Sequence, residues 1–151
     1  MGEETGPYLI LASHGNLARE ALSTATRILG PIEGAEAICL GQDGTLEGIE
    51  RSITEILERE QGRPVLLMVD LFGGSCSNVA ARVLQRESEK RTLAVVAGFN
   101  LAMIIEFVFS RAQFSIEDLS RRVIDAGRKA CLDVAGKYRR LAENCSEQSP
   151  S

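Results

Sequence analysis

Apolar residues follow two spacings along this chain. Unbroken short runs occupy residues 8–13, Val65–Val69 and Leu93–Ala97, with a weaker one at Ala35–Leu40. Between them, apolar residues recur every three or four positions. Leu17, Ala18, Ala21, Leu22, Ala25, Ile28 and Leu29 form the first such set, and Leu46, Ile49, Ile53, Ile56 and Leu57 the second. Val79, Ala80, Val83 and Leu84 form the third, and Leu101, Ile104, Ile105 and Val108 the fourth. An unbroken apolar run reads as a strand covered on both faces, and a three-to-four period as an amphipathic helix. Four strands therefore alternate with helices, without an internal repeat or a linker.

Local signals place the helix ends. Asn16 is positioned to cap the first helix and Gly30-Pro31 to stop it; Thr45 can cap the second. The third is expected to start near Ser77, after the Gly73-Gly74-Ser75 turn, and to end before a charged loop at residues 86–91. Ser115-Ile116-Glu117-Asp118 resembles a capping box and opens a fifth helix, with Leu119, Val123, Ile124, Ala130 and Cys131 as apolar positions. Residues 131–135 read equally as helix or as an added edge strand. Residues 1–7 form an N-terminal extension, 8–143 one domain, and 144–151 a polar tail expected to fray.

Alternating strands and helices predict a single-domain three-layer α/β/α fold around a mainly parallel four-stranded sheet. In the order 2-1-3-4, the reversal falls between strands 1 and 3. Ligands of such sheets bind at that reversal, beyond the C-terminal strand ends. The loops there are predicted to carry His14, Asp70, Ser75 and Asn100.

Composition narrows the function. With 151 residues, 44% hydrophobic and 25% charged, the chain can bury one substantial core. A net charge of -4 and no basic tract argue against a nucleic-acid binder. No apolar stretch approaches the ~20 residues of a membrane helix, and the acidic start lacks a signal-peptide pattern, so a cytoplasmic protein is expected. The cysteines at 39, 76, 131 and 145 form no C-x-x-C pair and are expected to be reduced thiols. Cys39 is expected in the core. For Cys76, beside the glycine turn, an ordinary reduced thiol is the leading reading; partial exposure is the alternative, and it is the cysteine whose oxidation would then matter.

His14 is the only histidine. It sits in Ser13-His14-Gly15 at a strand end, where a glycine leaves room around the ring. A carboxylate on one ring nitrogen fixes the tautomer and makes the other nitrogen a better nucleophile; Asp70 is the candidate. Gly73, Gly74 and Ser75 offer unobstructed amides and a hydroxyl at a helix N-terminus, which suits an anion. Together they suggest phosphoryl transfer through a phosphohistidine. On residue types alone, a solvated histidine, an Asp70 that only caps a turn, and an ordinary glycine loop stay open. No P-loop, dinucleotide fingerprint or G-x-S-x-G elbow occurs, although Ser13 or Ser75 could be imagined as a hydrolase nucleophile. No metal cluster and no cofactor are expected.

Leu11-Ala12-Ser13-His14-Gly15 and Val65-Leu66-Leu67-Met68-Val69-Asp70-Leu71-Phe72-Gly73-Gly74-Ser75 resemble the mannose-family enzyme IIA domain of the bacterial phosphoenolpyruvate-dependent sugar phosphotransferase system. Ala97-Gly98-Phe99-Asn100-Leu101-Ala102-Met103 resembles a third segment of that family. The resemblance implies a phosphoryl carrier that accepts from the carrier protein HPr and donates to a IIB partner. It implies that His14 is phosphorylated at its outer nitrogen, that Asp70 holds the inner one, and that Ser75 with nearby amides holds the phosphoryl group. It further implies a homodimer, with residues 131–135 as a strand exchanged between subunits. Cys76 and Ala102 stand where the family often has proline, which questions the rigidity of the rim rather than the chemistry. Three alternatives remain: a IIA-like regulator, the phosphotransfer subunit of dihydroxyacetone kinase, and a non-catalytic anion- or nucleotide-binding module.

Overall fold

The computed structural model describes residues 6–148. Its elements are β1 (Tyr8–His14), α1 (Leu17–Leu29), β2 (Ala35–Leu40), α2 (Leu46–Arg59), β3 (Val65–Val69), α3 (Ser75–Glu87), β4 (Leu93–Ala97), α4 (Leu101–Ser110), α5 (Ile116–Ala130) and α6 (Val134–Glu147). The four strands pair in parallel in the order β2-β1-β3-β4, as the alternation predicts. The reversal lies between β1 and β3, where Ala12 pairs with Val69.

Successive side chains of a strand point to opposite faces, so each unbroken run supplies two cores. Tyr8, Ile10, Ala12, Val65, Leu67 and Val69 face α2 and α3. Leu9, Leu11, Leu66 and Met68 face α1, α4 and α5, with Phe107 among the largest fully buried side chains there. Every residue of β1 except the last is buried, and all of β3 is. This double cover fixes the two central strand ends, and with them the positions of His14 and Asp70. Among the described residues, no helix is long and apolar enough to cross a membrane.

Several expected details differ. The strand-one ladder continues through His14, which pairs with Leu40, so His14 is a strand residue and not part of the following loop. Asn16 makes no capping bond to α1. Ser13, fully buried, does so instead: its Oγ accepts from the Ala18 N–H at 2.7 Å. Its full burial keeps a substrate from the hydroxyl, so Ser13 is not placed as a nucleophile. Leu17 and Ile28, taken as inward positions, are exposed. Helix α3 starts at Ser75, two residues earlier than the pattern suggested, and runs on to Glu87, which is buried and accepts from Arg86 Nε and Arg91 Nε.

At the C-terminus, Ala130 and Cys131 are exposed, and residues 131–133 form an irregular connection. Residues 134 and 135 begin α6, so no strand forms over 131–135 in this chain. Helix α6 also takes in residues 144–147 of the expected frayed tail. The rest of that tail beyond residue 148, and residues 1–5 of the N-terminal extension, lie outside the described residues. Gly6 and Pro7 are buried, with the Gly6 carbonyl accepting from Arg63 Nε at 2.7 Å.

Candidate functional site

Two strand ends and one helix start build the site. The Asp70 N–H donates to the Ala12 carbonyl at 3.2 Å, which carries the β1–β3 ladder one residue past the strand and brings Asp70 beside His14. Asp70 Oδ2 then accepts twice from that residue. The backbone N–H of His14 lies at 2.9 Å, and its ring Nδ1 also lies at 2.9 Å. Such a pair orients the ring and fixes its tautomer: Nδ1 carries the proton and Nε2 the lone pair. The Asp70 side chain is 10% exposed and that of His14 is 44% exposed. The orienter is thus inside the wall and the ring projects from it.

Burial of Asp70 works against its charge. The backbone and ring bonds from His14 outweigh that burial and hold the carboxyl below the usual carboxylate range. A buried anion persists when it is paired and hydrogen-bonded, which these bonds provide. Asp70 Oδ1 is buried without a hydrogen-bond partner among the described residues.

The glycine turn divides its labour. Gly73 has φ +80, a left-handed conformation that glycine adopts at little steric cost. Gly74 has φ -78 and serves another purpose: a Cβ there would lie 3.1 Å from His14 Cε1. Its N–H donates to the Leu71 carbonyl at 3.3 Å and so belongs to the turn. Gly74 gives the ring space and not an anion donor. The first rung of α3 is the Asn78 N–H to the Gly74 carbonyl, which leaves the amides of residues 75–77 without intrahelical acceptors. Free amides of this kind, with the partial positive charge of a helix end, are chemically suited to an anion. Ser75 is the first residue of that helix and is half-buried.

Three groups correct the sequence reading. Cys76 is fully buried, not exposed, and burial together with the negative charge of Asp70 pushes its thiol up to about 11. It is therefore a protonated wall residue, protected from oxidation. Asn100 is engaged structurally: its Oδ1 accepts from the Met103 N–H at 3.1 Å, and its Nδ2 donates to the Gly127 carbonyl at 3.1 Å. Donor atoms of His14, Asp70 and Cys76 all lie within 4.8 Å of one another. This is the one three-donor group among the described residues that could hold a metal ion, and sequence spacing gave no sign of it. Its close His14–Asp70 hydrogen bond and protonated thiol describe a hydrogen-bonded dyad against a neutral wall. Sequence reasoning missed Ser13 as a cap and the backbone bond to Asp70. The five-residue offset from Ser13 to Ala18 is not a familiar capping spacing, and the backbone bond depends on strand pairing.

The surroundings are apolar and open. Leu71 and Phe72, in the turn after β3, are exposed. A shallow cavity near the β1 and β4 ends is lined by Leu17, Ala21, Phe99 and Leu101 among others.

The chain and its fold are similar to known proteins. Residues 8–124 match the family model EIIA-man, described as "PTS system fructose IIA component". The chain is 28% identical over 131 residues to the PTS system mannose-specific EIIAB component of Escherichia coli K12, covering 85% of this chain and 40% of that protein. It thus spans about two-fifths of the length of the first curated relatives it matches. Among solved structures, the mannose/sorbose-specific IIA subunit of Enterococcus faecalis superposes with a TM-score of 0.77 at 32% identity, over 85% of this chain and 95% of that one. The EIIA component of Streptococcus agalactiae gives a TM-score of 0.80 at 25% identity, over 85% and 98%.

Proposed function

We propose, for a chain that belongs to the EIIA-man family of phosphotransferase-system IIA components, that it carries a phosphoryl group on His14 as a cytoplasmic step in sugar uptake. The observation that carries this reading is the 2.9 Å contact of Nδ1 with Asp70 Oδ2 on a ring that is nearly half-exposed. It leaves Nε2 as the nucleophile.

In the proposed step, the Nε2 lone pair attacks phosphorus of a phosphohistidine on HPr. The N–P bond of the donor breaks, and its electron pair returns to the donor imidazole. The new bond makes the His14 ring more cationic. Its Nδ1 proton stays in place, and the Asp70 carboxylate stabilises the charge. The free amides at the start of α3 and the Ser75 hydroxyl receive the phosphoryl oxygens. The same events in reverse pass the group to a IIB partner. No metal or cofactor enters the scheme, and catalysis is positioning with electrostatic stabilisation. The family resemblance also supports a homodimer as the working form.

The test is phosphoryl uptake from phosphoenolpyruvate, enzyme I and HPr, in the wild type and in His14→Ala. An acid-labile, alkali-stable adduct that depends on His14 supports the assignment.

A further inference from the structure

We propose that His14, Asp70 and Cys76 bind a divalent cation of the zinc class, which switches the ring tautomer of His14 and blocks its phosphorylation. The blocking step rests on the phosphoryl-carrier reading; binding of the ion does not. One donor atom from each of the three residues lies within 4.8 Å of the others, and no other such group occurs among the described residues. His14 Nδ1 and Asp70 Oδ2 are 2.9 Å apart, which lets one ion touch both at the usual zinc distances of about 2.1 Å. A tetrahedral zinc holds sulfur roughly 3.6 Å from its nitrogen and oxygen ligands, so the group contracts by about 1 Å at most on binding. A second observation points the same way. Asp70 Oδ1 is buried without a hydrogen-bond partner among the described residues, on a side chain that is 10% exposed. A buried carboxylate oxygen without a partner is unfavourable, and a coordinated cation satisfies it.

Charge and softness select the ion. A thiolate and a carboxylate cancel a divalent charge, and a neutral imidazole adds none, so the loaded site is neutral. Sulfur and imidazole favour zinc or cadmium over the oxygen-seeking magnesium and calcium. Cys76 is the second residue of α3, where the free amides of a helix N-terminus favour a thiolate once the proton has left. The imidazole, 44% exposed, gives the ion a way in to the two ligands behind it. Cys76 stands where the resembled family often has proline, so this third ligand belongs to this chain. Without the ion, the groups stand as a hydrogen-bonded dyad beside a neutral thiol. Binding through Nδ1 moves the imidazole from its Nδ1–H to its Nε2–H tautomer, with no net change on the ring. The Cys76 thiol gives its proton to solvent as the sulfur–metal bond forms, so one proton is released per ion. The nitrogen that would attack phosphorus then carries a hydrogen and has no free lone pair.

His14 is the only histidine, so its ring is read directly in the unaltered full chain. Nitrogen-15 correlation spectra are expected to show Nδ1–H without metal and Nε2–H in saturating Zn²⁺. Cadmium gives an independent readout. In a Cys39→Ala, Cys131→Ser, Cys145→Ser background, Cd²⁺ should bind with a thiolate-to-metal charge-transfer band. Adding Cys76→Ala should abolish the band, and adding His14→Gln should weaken binding about tenfold or more. Uptake from phosphorylated HPr should be lost in Zn²⁺ and restored by chelation. Cys76→Ala, compared with its own metal-free rate, should be about tenfold less sensitive. A tautomer that Zn²⁺ leaves unchanged, a cadmium band that survives Cys76→Ala, or equal zinc sensitivity in Cys76→Ala would each overturn the proposal. A tautomer switch in a protein that takes up no phosphoryl group would support the metal site and overturn the carrier reading.

Discussion

One oxygen of Asp70, Oδ2, accepts from both the backbone nitrogen and Nδ1 of His14, each at 2.9 Å. The backbone bond sets where the residue sits, and the ring bond sets which way the imidazole faces. Because Asp70 is tied to β1 through its own N–H, the dyad is an extension of the central parallel ladder. Rigidity at this point comes from strand pairing, which explains why a ring nearly half in solvent holds one orientation.

Replacing the carboxylate by an amide separates orientation from charge. Asp70→Asn keeps the shape but can donate to Nδ1 and favour the wrong tautomer. Its phosphoryl uptake rate is expected to fall about 10²- to 10⁴-fold, the range for loss of an orienting or acid–base partner. Rapid-quench labelling with phosphorylated HPr measures this, and near-wild-type uptake would remove Asp70 from the mechanism.

The same carboxylate makes stability pH-dependent. Its folded pKa is depressed below the ordinary value, so its contribution is fully present above about pH 4, the range of an unperturbed carboxylate. That contribution disappears as pH falls through the lower folded value. Urea unfolding of the wild type and Asp70→Asn is expected to differ most near neutral pH and to converge in acid. A gap that widens on acidification would show that the charged form is not the favoured one.

Gly74 and Gly73 are expected to fail differently. Gly74→Ala places a methyl group 3.1 Å from His14 Cε1, at a backbone angle any residue tolerates. Phosphoryl uptake should drop at least several-fold with little loss of stability. Gly73→Ala forces a side chain into a left-handed conformation, which costs roughly 1–2 kcal/mol, while no atom lies within 4 Å of the added group. Thermal unfolding with uptake rates on the same preparations distinguishes the two.

Ser13→Ala leaves the buried Ala18 N–H of α1 without its 2.7 Å acceptor. A loss of about 1–3 kcal/mol is expected from the unsatisfied donor. Asn16→Ala, whose side chain makes no cap bond, should fall within about 0.5 kcal/mol of the wild type. Chemical denaturation measures both, and the reverse ranking would return the cap to Asn16.

The strand order was legible because each central strand is an unbroken apolar run, which has one interpretation when helices cover both faces. Residues Val65–Val69 are all buried, as that run implied. The topology then brought His14 and Asp70 together from positions 56 apart in sequence. Detail failed where the deciding contact is nonlocal. The burial of Cys76 depends on how the start of α3 packs against the Asp70 wall, and a glycine-rich neighbourhood suggests exposure instead. The beginning of α3 at Ser75 depends on the Leu71–Gly74 turn that precedes it. At the other end of the chain, Val134 and its neighbours have both β-branched and helix-forming character, so local propensity could not choose between strand and helix. Family likeness pointed to a strand exchanged between subunits, a property of the dimer; in the single chain residues 131–133 are irregular and 134–135 open α6.

The most direct test of the central claim is the stoichiometry and site of phosphoryl incorporation. Wild-type protein, incubated with labelled phosphoenolpyruvate, enzyme I and HPr, is expected to take up one phosphoryl group per chain as an acid-labile, alkali-stable adduct, and peptide mapping should place it on His14. His14→Ala should take up none while keeping the wild-type circular dichroism spectrum. Equal labelling of His14→Ala, or an acid-stable adduct on Ser75, would contradict the account.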